Sequence, residues 1–257
     1  PGPGWTYGEF LEAARRLTAD TDGDGHVDRY GYYGQLPPSL FDAGFISEDG
    51  TRATCDSPAM VRCLQANLAL VGEHRVAPSI QQQVQGALDR LAMFRTGQVA
   101  MLQAFTWDLP QLRAQMTAAW GIALNPEVER RATWASSQAV LISARTDHPE
   151  EAWALARAFL APAFQARMTR RGMPSDLELA RRLAASGDPA YAHLPVLLTA
   201  VDELCATPRV AHLAEAQQIF DQACESVWTG RATPQAAMRR AAQLIDRMIQ
   251  QHRRYGS

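Results

Sequence analysis

Trp5-Thr6-Tyr7-Gly8-Glu9-Phe10-Leu11-Glu12-Ala13-Ala14, running through Leu17-Thr18 into Asp22-Gly23-Asp24-Gly25, Asp28 and Tyr30-Gly31, is the stretch from which the fold is read. Thr6 and Glu9 have the spacing of a capping box, each side chain serving the other's backbone donor. Trp5 before the cap and Phe10 four residues past it form a hydrophobic staple. Phe10, Ala13, Ala14 and Leu17 recur at helical spacing, so a helix starts at Thr6. An acidic loop then leads into the aromatic segment 30–33, which reads as a strand.

The loop is Asp20-Thr21-Asp22-Gly23-Asp24-Gly25-His26-Val27-Asp28. Carboxylates at loop positions 1, 3, 5 and 9, with glycine at 6, suit a hard cation, and the His26 carbonyl is a further ligand. Asp20, Asp22, Asp24, His26 and Asp28 are therefore the candidate calcium ligands. Position 12 would be Gly31, so the bidentate acid of a complete EF-hand is missing. An acidic turn closed by Asx-type hydrogen bonds is the other reading. A bound ion would brace the loop rather than perform chemistry.

Further along, Ser57-Pro58 caps a helix with a stripe of Val61, Leu64, Leu68 and Val71. A second helix carries Val84, Leu88, Leu91 and Ala92 and ends at Gly97. Segments 99–105, 120–124 and 139–143 are short and apolar and read as strands. Asp147-His148-Pro149-Glu150 opens a helix with inner residues Leu155, Ala156 and Phe159, and carboxylates in its first turn where the dipole favours them. Gly172 and Pro174 stop the next helical piece. The last helix starts at Thr233-Pro234 and buries Met238, Ala242, Ile245 and Ile249. Helices outnumber short, separated strands, which predicts an α/β fold with a small sheet.

The chain has 257 residues, 47% of them apolar, and a net charge of −2, with arginine as the only strongly basic residue type. Near-neutrality gives no electrostatic reason to invoke nucleic acid or an anionic membrane. No run is long and apolar enough for a membrane span, and the Pro1-Gly2-Pro3-Gly4 opening has no leader character. Cys55, Cys63, Cys205 and Cys224 lack zinc spacing. In an oxidising compartment their grouping permits Cys55–Cys63 and Cys205–Cys224, and four small buried apolar side chains is the alternative. No catalytic motif is present, and the six histidines lie far apart at ordinary helix and loop positions. The expectation is a protein that is not an enzyme.

Five segments carry a resemblance. They are the opening stretch; Phe94-Arg95-Thr96-Gly97-Gln98-Val99-Ala100-Met101 with Trp107; and Leu141-Ile142-Ser143 with His148-Pro149-Glu150-Glu151-Ala152-Trp153. Gly172-Met173-Pro174-Ser175 and Trp228-Thr229-Gly230 with Thr233-Pro234 complete the set. In this order they resemble the extracellular solute-binding proteins of carbohydrate ABC importers, the maltose-binding-protein-like family. The resemblance implies a helix-rich periplasmic-binding-protein type II-like clamp, here a C-terminal lobe plus part of an incomplete N-terminal lobe. The implied division is residues 1–135 mainly C-terminal lobe, 136–185 returning to the N-terminal lobe, and 186–257 completing the C-terminal lobe. It also implies export, to the periplasm or as a surface lipoprotein.

By the same resemblance, the solute is a mono- or oligosaccharide passed to ABC permease subunits, with no nucleic-acid partner. Trp107 corresponds to the tryptophan that lines the family's cleft, and Phe105 stands where a glycine is usual. Trp134-Ala135-Ser136-Ser137-Gln138 lies where the family has a Gly-Gly-aromatic turn, which makes Trp134, Ser137 and Gln138 candidate contacts. Gln35 belongs to a loop that forms a cleft wall, whereas Trp5, Trp120, Trp153 and Trp228 are assigned to packing. The resemblance further implies that part of the first lobe is missing, leaving apolar faces near 139–143 and the helix from Pro149 uncovered. Glycerol phosphate or another small polar solute, a calcium-stabilised helical interaction domain, and lastly a glycoside-processing enzyme are the alternatives.

Overall fold

The computed structural model describes residues 2, 4–84, 89–135, 139–169, 172–206, 208 and 210–255. In chain order the elements are α1 (Tyr7–Leu17), β1 (Tyr30–Tyr33), α2 (Pro58–Gly72), α3 (Ile80–Val84), α4 (Arg90–Arg95) and β2 (Val99–Leu102). Next come α5 (Leu109–Gln115), β3 (Thr133–Ala135), α6 (Pro149–Leu160) and α7 (Pro162–Met168). The chain ends with α8 (Leu177–Ala185), α9 (Leu194–Thr199), β4 (Leu204–Ala206), α10 (Leu213–Trp228) and α11 (Pro234–Tyr255). Two compact units result: one of Pro1–Gln103, Asn125–Trp134 and Cys205–Ser257, the other of Ala104–Leu124 and Ala135–Leu204.

Helix α1 is built as its cap and periodicity predict, whereas the single helix expected over Val84–Ala92 is α3 and α4, the latter started by the Asp89 cap, and Leu88 lies outside the described residues. Glu9 N–H donates to the Thr6 hydroxyl at 3.3 Å and Thr6 N–H to the Glu9 carboxylate at 2.7 Å, closing the capping box. Trp5 meets Phe10 edge-on at 5.7 Å, and Phe10 meets Tyr32 edge-on at 4.9 Å, which pins α1 to β1. A side chain at Gly31 would collide with the Ala14 backbone, so this approach requires glycine. β1 and β2 pair in parallel, with Tyr30 opposite Val99, Tyr32 opposite Met101 and Tyr33 opposite Leu102.

Helix α2 divides the core of this unit. Met60 and Leu64 join α10 and α11 through Phe220, Val227, Met238 and Ile245. Cys63 and Leu70 join Phe10, Tyr32, Leu40 and Val76 on another side. Of the expected stripe only Leu64 is buried and Val61, Leu68 and Val71 are half-buried; because the helix is covered on two sides, the buried arc is Met60, Cys63, Leu64, Asn67 and Leu70, with Asn67 at 3% exposure. Asn67 Nδ2 donates to the Leu36 and Cys63 carbonyls, both at 3.0 Å, and its Oδ1 accepts from Leu36 N–H at 2.8 Å. On α11, Met238, Ala242, Ile245 and Ile249 are all buried, as their spacing predicts. All four cysteines are free, so neither permitted disulfide forms. Burial pushes the Cys55 and Cys63 thiols up to about 12, which makes them inert packing groups.

The second unit has a thinner apolar core, with Leu109, Leu112, Ala156, Leu179 and Leu194 among its buried side chains. Its buried centre also holds Asp108, Thr169 and His193. Segments 120–124 and 139–143 are not strands. Short apolar runs become strands only where an edge pairs with them, and among the described residues none does. Leu141 is accordingly 88% exposed. On α6 only Ala156 is buried, and Leu155 and Trp153 face solvent, so the packing role expected of Trp153 is not found. Among the described residues no helix is long and apolar enough to cross a membrane.

Replacing Asn67 by leucine strands the buried N–H of Leu36, whose carbonyl keeps the Cys63 thiol at 3.5 Å. The expected cost is about 1–3 kcal/mol, read by urea unfolding, with the amide of Leu36 losing its protection from hydrogen exchange.

Candidate functional site

Because β1 and β2 run parallel, their carboxyl ends lie at the same edge, the place where α/β sheets take ligands. Gly34 and Gln35 follow β1 there, and Gln103 follows β2. Gly34 has φ +149°, and a side chain on it would strike Gln103. Gln35 N–H donates to Gln103 Oε1 at 3.1 Å, while Gln103 N–H donates to the Tyr33 carbonyl at 2.7 Å. Arg90 Nη1 donates to the Gln103 carbonyl at 3.3 Å. The sequence reading placed 103 inside a strand and so missed it as a polar group. The signal was there: it is the first polar residue after the run Val99–Leu102. Trp134 lies in β3 and is 44% exposed. Ser137 and Gln138 lie outside the described residues.

Trp107 belongs to the second unit, in a single 3-10 turn at Thr106–Asp108. It is 54% exposed and stacks on Phe105, with ring centroids 4.3 Å apart and planes 11° from parallel. The residue that replaces the usual glycine therefore forms the underlay of a two-ring platform. Asp108 is buried and accepts from Phe105 N–H at 2.8 Å, which closes the turn. Gly172 packs on Thr106, since a side chain there would come 3.4 Å from the Thr106 hydroxyl. The Trp107 turn and the Gly172-Met173-Pro174-Ser175 turn, quoted separately from the sequence, are thus neighbours.

His193 holds that second turn. Its Nε2 lies 3.0 Å from the Thr169 carbonyl and 2.9 Å from the Gly172 carbonyl, so this nitrogen carries the hydrogen and donates. Nδ1 then accepts from Arg113 Nη2 at 2.6 Å, which ties α5 to the same point. Burial holds the imidazole below its ordinary pKa. Sequence alone gave no reason to join His193 to Arg113, which lies 80 residues away.

Of the five acidic-loop residues, the carboxylates of Asp20, Asp22 and Asp28 converge, with donor atoms within 4.8 Å of one another. Asp20 accepts from Gly25 N–H at 2.9 Å and Gly23 N–H at 2.7 Å, and Asp28 from the Thr21 hydroxyl and N–H. These bonds hold both carboxyls below the usual range. Asp22 and Asp24 each also accept from the backbone N–H two residues on, as an Asx turn does.

The lowered pKa of His193 sets a pH dependence. The unfolded chain takes up this proton first, near pH 6.5, so its contribution is whole above about pH 6.5 and is lost as pH falls below it. Urea unfolding from pH 8 to pH 5 is expected to show stability falling in the acid half, with a smaller slope in His193→Gln. Equal slopes would contradict the assignment.

Three solved structures illustrate the fold. The maltose/maltodextrin-binding domain MalE of Bdellovibrio bacteriovorus, bound to maltotriose, aligns with 97% of this chain at TM-score 0.75 and 20% identity. The ABC substrate-binding protein Lmo0181 of Listeria monocytogenes, in complex with cycloalternan, aligns with 97% at TM-score 0.78 and 19% identity. An ABC transporter solute-binding protein of Thermotoga lettingae, bound with alpha-D-tagatose, aligns with 96% at TM-score 0.75 and 19% identity. The chain spans 68%, 65% and 65% of the respective lengths of these proteins. No curated protein matches the chain by sequence. At these identities the structures establish the helix-rich α/β fold, with partial lobes. The family described as bacterial extracellular solute-binding protein matches residues 3–166, well over half of the chain, and the chain belongs to that family.

Proposed function

We propose that the protein is the sugar-binding component of an ABC importer, taking a mono- or oligosaccharide between two lobes and delivering it to a membrane permease. The observation that carries this reading is the Phe105–Trp107 stack, a flat aromatic surface exposed on a turn that buried Asp108 makes rigid. Sugars offer apolar C–H faces that such rings cover, and their hydroxyls suit amide groups like those of Gln35 and Gln103. Trp134, Ser137 and Gln138 remain further proposed contacts. The structural relatives described above hold maltotriose, cycloalternan and tagatose, which supports a carbohydrate ligand. The protein acts outside the cytoplasmic membrane, in the periplasm or anchored as a lipoprotein, in keeping with its extracellular family. In the whole protein, further polypeptide covers the second unit's exposed Leu141, Leu155 and Leu160, since about a third of the relatives' length has no counterpart here.

Tryptophan fluorescence and melting temperature against maltotriose, tagatose and other sugars test the proposal. A saturable response is expected, with Trp107→Ala weakening binding about tenfold or more and Trp153→Ala leaving it unchanged. A flat response to every sugar, in a form with both lobes complete, defeats the carbohydrate reading.

Calcium bracing the loop of residues 20–28 belongs to the same proposal, supported by the convergence of Asp20, Asp22 and Asp28. Chelation is expected to lower the melting temperature by a few degrees, and Asp22→Asn to abolish that difference. Identical melting with and without calcium removes the ion.

A further inference from the structure

Helices α10 and α11 are joined by a short turn and pack side by side as an antiparallel hairpin, sharing the core of Phe220, Met238 and Ile245. The start of α10 and the end of α11 therefore meet at the open end of the hairpin. That is where His212, Glu215 and His252 come together. His212 is the N-cap residue of α10, Glu215 lies in its first turn, and His252 lies in the last turn of α11. Both His212 and Glu215 meet His252 of α11.

The donor atoms of the three side chains lie within 4.8 Å of one another. Glu215 Oε2 is 3.0 Å from His252 Nε2, and the two imidazoles stack with centroids 3.3 Å apart and planes 9° from parallel. A Glu215–His252 ion pair explains the first contact but not the second imidazole. His212 makes no side-chain capping bond, and its backbone is left-handed at φ 60°, a conformation uncommon outside glycine. Its ring lies against that of His252 on α11.

We propose that His212, Glu215 and His252 bind a borderline divalent transition-metal ion, zinc above all, which clips the open end of the α10–α11 hairpin. Two imidazole nitrogens and a carboxylate oxygen suit zinc, whereas calcium prefers oxygen alone. Zinc bonds of about 2.0–2.1 Å hold neighbouring donors roughly 3.3 Å apart; Glu215 Oε2 and His252 Nε2 are 3.0 Å apart, and all three donors lie within 4.8 Å. The rings must tilt out of their parallel stack, because in-plane lone pairs of parallel imidazoles do not converge on one point. Three protein donors leave the fourth tetrahedral position to water. The site lies within the first unit and shares no residue with the acidic loop or the sugar contacts.

Zinc titration by calorimetry, with melting curves, tests this on the 257-residue chain. One equivalent is expected to bind, and zinc at tenfold over its Kd to raise the melting temperature by about 3–6 °C. His252→Gln and His212→Asn, the latter keeping a residue that tolerates left-handed backbone, are expected to abolish both effects while the circular dichroism spectrum is unchanged. Asp22→Asn is expected to retain both effects. Cobalt in place of zinc is expected to give the visible absorption of a tetrahedral site in the native chain and to lose it in His252→Gln. No stoichiometric binding, or binding and stabilisation that persist in both histidine variants, overturns the proposal.

Discussion

Helix α2 is covered on two sides, and most of the first unit depends on how it tolerates that. The arc that α2 buries includes one amide, Asn67, and an unpaired buried amide costs more than a hydrogen bond returns. Asn67 resolves the conflict by binding both backbone groups of Leu36, as a neighbouring strand would. The segment after β1 is thereby fixed to the helix. Gln35, one residue earlier, is held at the carboxyl edge of the β1–β2 pair, where Gln103 meets it. The candidate sugar contacts of this unit are thus a consequence of its core.

The second unit solves its problem differently. With less apolar surface to bury, it gathers its turns around a polar centre. His193 serves two carbonyls and one guanidinium at once, and Asp108 closes the turn that bears Trp107. Such a centre rigidifies only when every member is satisfied. The neutral tautomer of His193 meets that condition, which makes the unit sensitive to mild acid in a way that the aliphatic core of the first unit is not. The exposed leucines of α6 belong to the same unit, so its apolar and polar economies have the same origin: little of its surface is buried by its own residues.

Much of this was legible beforehand, for identifiable reasons. The capping box at Thr6 and Glu9, the staple of Trp5 and Phe10, the Ser57 cap and the buried stripe of α11 all depend on neighbours within a turn or two. What was misread depended on distant partners. Among the described residues, segment 139–143 has the composition of a strand but no paired edge, and α6 has helical periodicity but leaves Leu155 exposed. On α2 the buried arc is displaced from Val61, Leu68 and Val71, because one sequence pattern cannot announce two cores. Among the candidate contacts, Trp107 could be named from its family position, but its stacking on Phe105 could not. Gln103 and His193 were passed over because their importance lies in what they touch.

The sequence by itself determined that helices start after Thr6, Ser57, His148 and Thr233 and that the aromatic segment is a strand. Those features are written in local hydrogen-bond chemistry and in the period of apolar side chains. Only the tertiary structure decided which side chains meet: Asn67 with Leu36, Arg113 with His193, and His212 with His252 across a helical hairpin. The physical reason is separation along the chain. A contact between residues 31, 80 or 40 positions apart depends on how whole helices pack, and no short window of sequence records that packing.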